Sequence, residues 1–473
     1  MLPMQSKLSN KFLAILALPA SGLGFALSVQ ISALSWILTT QYGLDIHDIG
    51  LVWAAGPIAG IFGQVIIGAW SDRVWLWGGR RRPFILVGGT IAALTLLALP
   101  NIDVISSALG LEGILGIALV VVLSLDFAIN VGFNPTRSII ADVTPAGVDR
   151  TRGYTWMQGV SGSFGVLAYA IGAIWDNYVL IYVAVVIVLL FNLIPPFLIE
   201  EPETITSQAD AADAPREKTS FLGVLTAIQP LWGFLIYDAY AMTLRLAGIE
   251  HDHYYAEIIC GVITVVFVVR ALAARESSEH TSRDHLVAFR QVLAANSFSW
   301  IGVQTMFVFI VIYLQSVLTH LSEIDVGRVN STGLLVLSAV GALLPVLVLE
   351  PLTEKIGRIR THMAALAVMT AGYVGLFLAG DTVIAVYLLM AVVGVGWAAI
   401  VSLPFAIFSQ KIDMEEMGLY MGLFNLSIVL PQLVVSLGIS LFVSRADDLS
   451  VIFLVSAVAL AISTLAWSRV RED

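Results

Sequence analysis

Asp126, Asn130 and Arg137 stand in the stretch LDFAINVGFNPTRSIIAD, Leu125 to Asp142, inside a largely apolar run from Ile114 to Ala141. A carboxylate at hydrocarbon depth costs roughly 3 kcal/mol on insertion scales, so it is rarely there without a task. A buried carboxylate can take and release a proton near neutral pH. On a helix, 11 positions turn through about 1100°, which leaves Asp126 and Arg137 within about 20° of one face. The same positions rise about 16 Å, too far for a direct ion pair. Asn130 lies one turn from Asp126, and Pro135 between the charges removes a backbone hydrogen bond and can bend the helix. The expected chemistry is proton carriage by Asp126 beside a polar solute held by Asn130 and Arg137. The alternatives are a structural acid satisfied by hydroxyls, and an arginine that snorkels to the interface.

The elements that hold these groups follow from composition. The chain has 473 residues, 58% hydrophobic and 12% charged, with mean hydropathy +0.90. Soluble domains carry about 25% charged residues, so this is an integral membrane protein. The net charge of −10 argues against a nucleic-acid partner, and the single Cys260 excludes an intramolecular disulfide. Apolar stretches long enough to cross a bilayer fall near 12–40, 48–70, 84–100, 113–141, 154–175 and 177–199. Two more lie near 221–246 and 255–274, and six near 289–318, 331–351, 361–379, 382–408, 418–444 and 449–468. The predicted organisation is a six-helix half, 1–199, a linker with an inserted hairpin, 200–288, and a second six-helix half, 289–473, about 14 spans in all. The first span exceeds a signal-peptide core and is read as retained. Lys and Arg concentrate in alternate loops, including Arg80, Arg81, Arg82, Arg150, Arg152, Lys355 and Lys411. By the positive-inside rule both termini are cytoplasmic, in the cell membrane or in the inner membrane of a Gram-negative cell.

The two halves echo each other. GAWSDRVWLWGGRRRP, Gly68–Pro83, follows the second span, and EPLTEKIGRIRT, Glu350–Thr361, follows the second span of the later half. Internal repeats of this kind are a mark of transporters. The expected role is a cytoplasmic gate of Gly68, Asp72, Arg73 and Arg80, joined by Asp142 with Arg150 or Arg152; the alternative is that the positive residues only set topology. Further polar groups at depth are Ser28 and Gln30 on the first span, Gln304 and Gln315 on the seventh core span, and Asn425 and Gln432 on the eleventh. They are solute contacts or interhelical glue. Trp36, Phe25 and Trp397 are candidates to stack on a ring; the commoner alternative is an aromatic at the membrane interface. The hairpin carries Asp238 and the loop EHDHYY, whose two histidines read as solvated loop residues rather than a metal site. No nucleotide loop, HExxH or GxSxG is present, so neither ATP drive nor catalysis is expected.

Gly68, Asp72, Arg73, Gly79 and Arg80 resemble the loop motif of the major facilitator superfamily, with extra residues between Arg73 and Gly79. WAAGPIAGIFGQVIIGAWSDR with GRRRPFI resembles the second and third helices of the sucrose/proton symporters, and LDFAINVGFNPTRSIIAD their fourth. VSLPFAIFS is similar to their tenth helix, GLFNLSIVLPQLVVS to their eleventh, and GLGFALSVQIS to their first. The resemblance implies an all-α major facilitator fold and alternating access. It implies proton-driven uptake of sucrose, maltose or a related glucoside, with Asp126 as the protonatable group and Arg137 in coupling or sugar binding. The driving force would be a proton gradient with no cofactor, and a monomer would suffice. WIGVQTMFVFIVIYLQ lacks the acidic stretch of plant members, and the hairpin is additional; both fit a bacterial relative. Export of another polar solute and a sensor built on a carrier fold are the competing readings.

Overall fold

The computed structural model describes residues 5, 7–60, 74–110, 113–145, 148–202, 221–247, 249, 253–274, 282–408 and 417–471. Its main helices are α1 Asn10–Thr40, the short α2 Ile46–Trp53, α3 Arg82–Ala98, α4 Ile114–Val143, α5 Val148–Ile174 and α6 Asn177–Leu193. The hairpin is α7 Trp232–Ala247 and α8 Tyr255–Ala273. Then come α9 Ser282–Val317, α10 Glu323–Leu344, α11 Arg358–Ala379, α12 Val383–Phe408, α13 Met417–Val434 and α14 Val451–Trp467. Among the described residues 11 helices are long and apolar enough to cross a membrane. Large apolar side chains such as Leu94, Val120, Ile258, Ile384 and Leu378 stand exposed on them. Such surfaces suit hydrocarbon rather than water.

The chain divides into two compact units. The first comprises Met1–Leu44, Ile58–Lys218 and Glu323–Thr332. Within it α1 packs on α5, α6 and α4, and α3 on α4 and α6. The second comprises Asp45–Pro57, Thr219–Ser322 and Gly333–Asp473. Within it α9 packs on α14 and α13, α11 on α12 and α14, and the α7–α8 hairpin on α9 and α13.

Several boundaries differ from the sequence expectation, each for a local reason. The helix α10 begins at Glu323 rather than near 331. Glu323 and Asp325 occupy its first turn, where carboxylates complement the helix dipole. Its start is held in the first unit: Asn330 Nδ2 donates to the Ser32 carbonyl at 3.0 Å, and Ser331 Oγ to Asn177 Oδ1 at 3.0 Å. The helix α9 begins at Ser282, inside the segment read as linker, because Ala288, Phe289 and Val292 give that polar stretch a buried face. The helix α4 runs unbroken through Pro135. Two π-helical segments were not foreseen, Pro345–Leu349 after α10 and Val435–Ile439 after α13. Pro345 opens one, and Pro431 lies a turn before the other. A residue without an N–H leaves a gap in the i→i−4 ladder, which a wider turn accommodates.

Candidate functional site

The middle of α4 carries the buried acid. Gln30 of α1 reaches it with one amide nitrogen, Nε2 lying 2.9 Å from Asp126 Oδ1 and 3.0 Å from Oδ2. Both residues are buried, at 5% and 3% exposure for Asp126 and Gln30. Gly132 permits this reach, since a Cβ there would stand 2.5 Å from Leu23 Cδ1 of α1. With no side chain at that crossing, the two helices come close enough for a glutamine to span them. Gln30 Oε1 is buried and has no hydrogen-bond partner among the described residues.

The other predicted groups of this unit do not touch the carboxylate. Asn130 Nδ2 donates at 2.8 Å to the carbonyl of Asp126, along its own helix. Arg137 is exposed, with its guanidinium 5.5 Å from the centre of the Phe133 ring. The distance foreseen between Arg137 and Asp126 therefore persists in the structure. Ser28 Oγ donates to the Gly24 carbonyl at 3.1 Å and shares a hydrogen bond with the buried Tyr169 of α5. Tyr169 was missed in the sequence, where it looks like one more apolar position. Trp36 is fully buried and donates its indole N–H to the Glu323 carbonyl at 2.8 Å, which makes it a packing element rather than a stacking surface.

In the second unit Gln432 Nε2 of α13 donates to Gln304 Oε1 of α9 at 3.2 Å. Two turns away Asn296 Nδ2 donates to Ser427 Oγ at 2.9 Å. The sequence picked out Gln304 and Gln432 but not the second bridge. Asn425 is half-buried on α13. Trp397 packs edge-on against Phe307 and Trp300. Asp238 of α7 is a second buried acid, and neither of its oxygens has a hydrogen-bond partner among the described residues.

A charged cluster forms where α3 starts and α4 and α6 end. Gly68, Asp72 and Arg73 lie outside the described residues. Leu76 and Gly79 exchange backbone hydrogen bonds around Trp77 and Gly78, both at positive φ, 54° and 75°. That is the pattern of a tight two-residue turn, and it absorbs the extra residues before the arginines. Glu201 then caps α3, its carboxylate accepting the backbone N–H groups of Arg80, Arg81 and Arg82 at 2.7, 2.8 and 2.8 Å. An anion at a helix start satisfies orphan donors and the dipole together. The Arg81 side chain donates to Asp142 Oδ2 at 2.9 Å, with 5% and 11% of the two side chains exposed. This corrects the expected pairing of Asp142. Arg150 instead donates to the carbonyls of Ala141 and Thr144, and Arg152 to Asn10 Oδ1. The Arg80 guanidinium lies 5.9 Å from the Trp75 ring centre. The sequence reading left Glu201 in a polar linker, although an acid just past a span could have signalled a cap.

Gly79 is the point at which this cap is sterically tight. A Cβ there would sit 2.3 Å from Glu201 Oε1. Gly79→Ala is expected to push the carboxylate off the helix start and cost about 1–2 kcal/mol, as loss of a cap does. A thermal melt of the purified variant in detergent checks this, and an unchanged midpoint would remove the cap from the account.

Among the described residues, 11 apolar helices of membrane length define a polytopic membrane protein. The Major Facilitator Superfamily profile matches residues 16–436, and the chain belongs to that superfamily. It is 37% identical over 165 residues to mouse (Mus musculus) Proton-associated sugar transporter A, covering 33% of this chain and 21% of that protein. It is 32% identical over 180 residues to Sucrose transport protein SUC4 of Arabidopsis thaliana, covering 36% of this chain and 35% of that protein. The chain thus matches about a fifth to a third of the length of these relatives. In fold it is similar to the nucleoside transporter NupG, with TM-score 0.61 and 13% identity over 98% of this chain and 100% of that one. The peptide transporter PepTSo gives TM-score 0.65 and 13% identity over 97% and 96%. These likenesses bear out the all-α carrier fold.

Proposed function

We propose that the protein takes up a disaccharide or glucoside, of the sucrose or maltose type, together with a proton by alternating access. The observation that carries this reading is Asp126, buried in mid-helix with Gln30 as its side-chain partner. A carboxamide offers both a donor and an acceptor. Its Nε2 serves the carboxylate; after protonation the amide can turn and present Oε1, now without a partner, to the new O–H. Gln30 is therefore a positioning residue suited to both protonation states. The names of the sugar-transporting relatives support a sugar as cargo. The polar groups proposed for sugar hydroxyls are Asn130, Arg137 and Ser28 in the first unit and Gln304, Asn425 and Gln432 in the second, each unit taken by itself. The cluster of Glu201, Arg81 and Asp142 would lie on the cytoplasmic side with both termini and act as the gate, the role that the sequence also gives to Gly68, Asp72, Arg73 and Arg80. The proton gradient supplies the drive, no cofactor is required, and a monomer suffices.

The test is uptake of labelled sucrose and maltose by proteoliposomes with and without an imposed pH gradient. Accumulation of one of them only when the lumen is the more alkaline side is expected. Accumulation that ignores the gradient, or none of either sugar, would sink the proposal.

A further inference from the structure

The inserted hairpin has a cavity of its own, of about 420 Å³. Phe234 and Tyr237 of α7, Phe298 of α9 and Phe442 after the π segment line it. Gly261 and Val265 of α8 form its outer wall. Val265 and Phe442 are themselves exposed, at 58% and 48%, beside the exposed Ile258 and Val262. Along this side the cavity therefore opens on an apolar face that suits lipid.

One end of the cavity is charged. Tyr237 donates its hydroxyl to Glu257 Oε1 at 3.3 Å. Arg445 donates to the Tyr254 hydroxyl at 2.8 Å, its guanidinium 5.4 Å from that ring's centre. Tyr254 and Glu257 both line the cavity and are three residues apart, so Glu257 and, through Tyr254, Arg445 both lie by the start of α8. From Tyr254 to Val265 the helix rises about 16 Å, roughly half of the hydrocarbon thickness of a bilayer. The cavity thus runs from an interface, marked by a tyrosine, toward the midplane.

We infer that this cavity holds one zwitterionic phospholipid, its ammonium at Glu257, its phosphate at Arg445 and one acyl chain along Gly261, Val265 and Phe442. Length, apolar lining and lateral opening fit a single leaflet's chain. Opposite charges at the interfacial end fit a head that carries both signs. The hairpin then acts as a lipid-binding element, a role separate from proton or sugar transport.

The experiment is native mass spectrometry of the delipidated protein. Phosphatidylethanolamine and phosphatidylglycerol with the same acyl chains are offered in equal amounts. Wild type is expected to retain phosphatidylethanolamine roughly threefold over phosphatidylglycerol, a ratio in the range of a partly exposed ion pair. Glu257→Gln is expected to bring the ratio to unity while total retention persists. Gly261→Phe, which adds a ring where a Cβ meets nothing within 4 Å, is expected to lower retention of both lipids. Equal retention of the two by wild type, a preference for phosphatidylglycerol, or an unchanged ratio in Glu257→Gln would overturn the assignment. Should Gly261→Phe not fold, the Glu257→Gln ratio decides alone.

Discussion

Asp126→Asn is expected to abolish sugar accumulation driven by a pH gradient while leaving sugar counterflow within about twofold. Coupling free energies between two ligands of one protein usually correspond to roughly 5- to 150-fold, and loss of the titrating group removes that factor. Asparagine is nearly isosteric with the acid, and its Oδ1 can still accept from Gln30 Nε2, now 2.9 Å from Asp126 Oδ1. Packing between α1 and α4 should therefore survive, and only the proton is lost. Gln30→Leu separates positioning from titration. It retains the acid but gives it no amide in either protonation state, so it should change the pH profile of uptake rather than remove gradient dependence. Both are read in proteoliposomes loaded with cold sugar for counterflow and empty for gradient uptake. Gradient-driven accumulation by Asp126→Asn would place the coupling group elsewhere, and Asp238 would become the next acid to test.

The second large effect is on stability. Asp142→Asn or Arg81→Gln is expected to cost about 3–5 kcal/mol, because removing one member strands the other as a buried charge. The burial of both side chains, 5% and 11% exposed, makes this pair unlike an ion pair at a free surface. A double substitution, Arg81→Met with Asp142→Leu, should recover most of the loss, since no unpaired charge remains. Chemical or thermal unfolding of the wild type, Arg81→Met, Asp142→Leu and the double variant in one detergent closes the cycle and gives the coupling energy. Additive losses would show that the two groups act separately. Asp142→Asn with wild-type stability would show that the 2.9 Å contact contributes nothing. Gate function is read from the same set: a variant that keeps its stability in the double form but loses uptake identifies a role in the transport cycle.

How far the site could be read in advance varies residue by residue. Asp126 stood out because an acid among Leu, Ile and Val is costly wherever the helix lies. Its separation from Arg137 followed from helical rise alone, and the structure keeps the two apart. Gln30 was singled out as a polar group at depth, but its target was not visible. That target depends on how α1 is rotated and how closely it crosses α4 at Gly132. Asp142 was placed near the right end of α4 but given the wrong arginine. Arg150 and Arg152 are nearer in sequence, whereas Arg81 is brought in by the start of α3. Glu201 went unnoticed because a carboxylate in a loop has no periodicity to mark it. Its role exists only once the N–H groups of residues 80–82 converge on it.

The sequence by itself determined the order, type and approximate bounds of the membrane helices. Each must supply enough apolar residues to cross hydrocarbon, and that requirement is written locally. It also determined that Asp126 lies deep and that positive charge gathers in particular loops. Only the tertiary structure decided the partners: Gln30 on Asp126, Arg81 on Asp142, Glu201 on the start of α3, and the first turns of α10 within the first unit. Helical spacing defines which face a side chain occupies, but the neighbour that meets that face depends on the crossings of helices distant in the chain. Those crossings are set by close packing at small residues, and no single segment contains them.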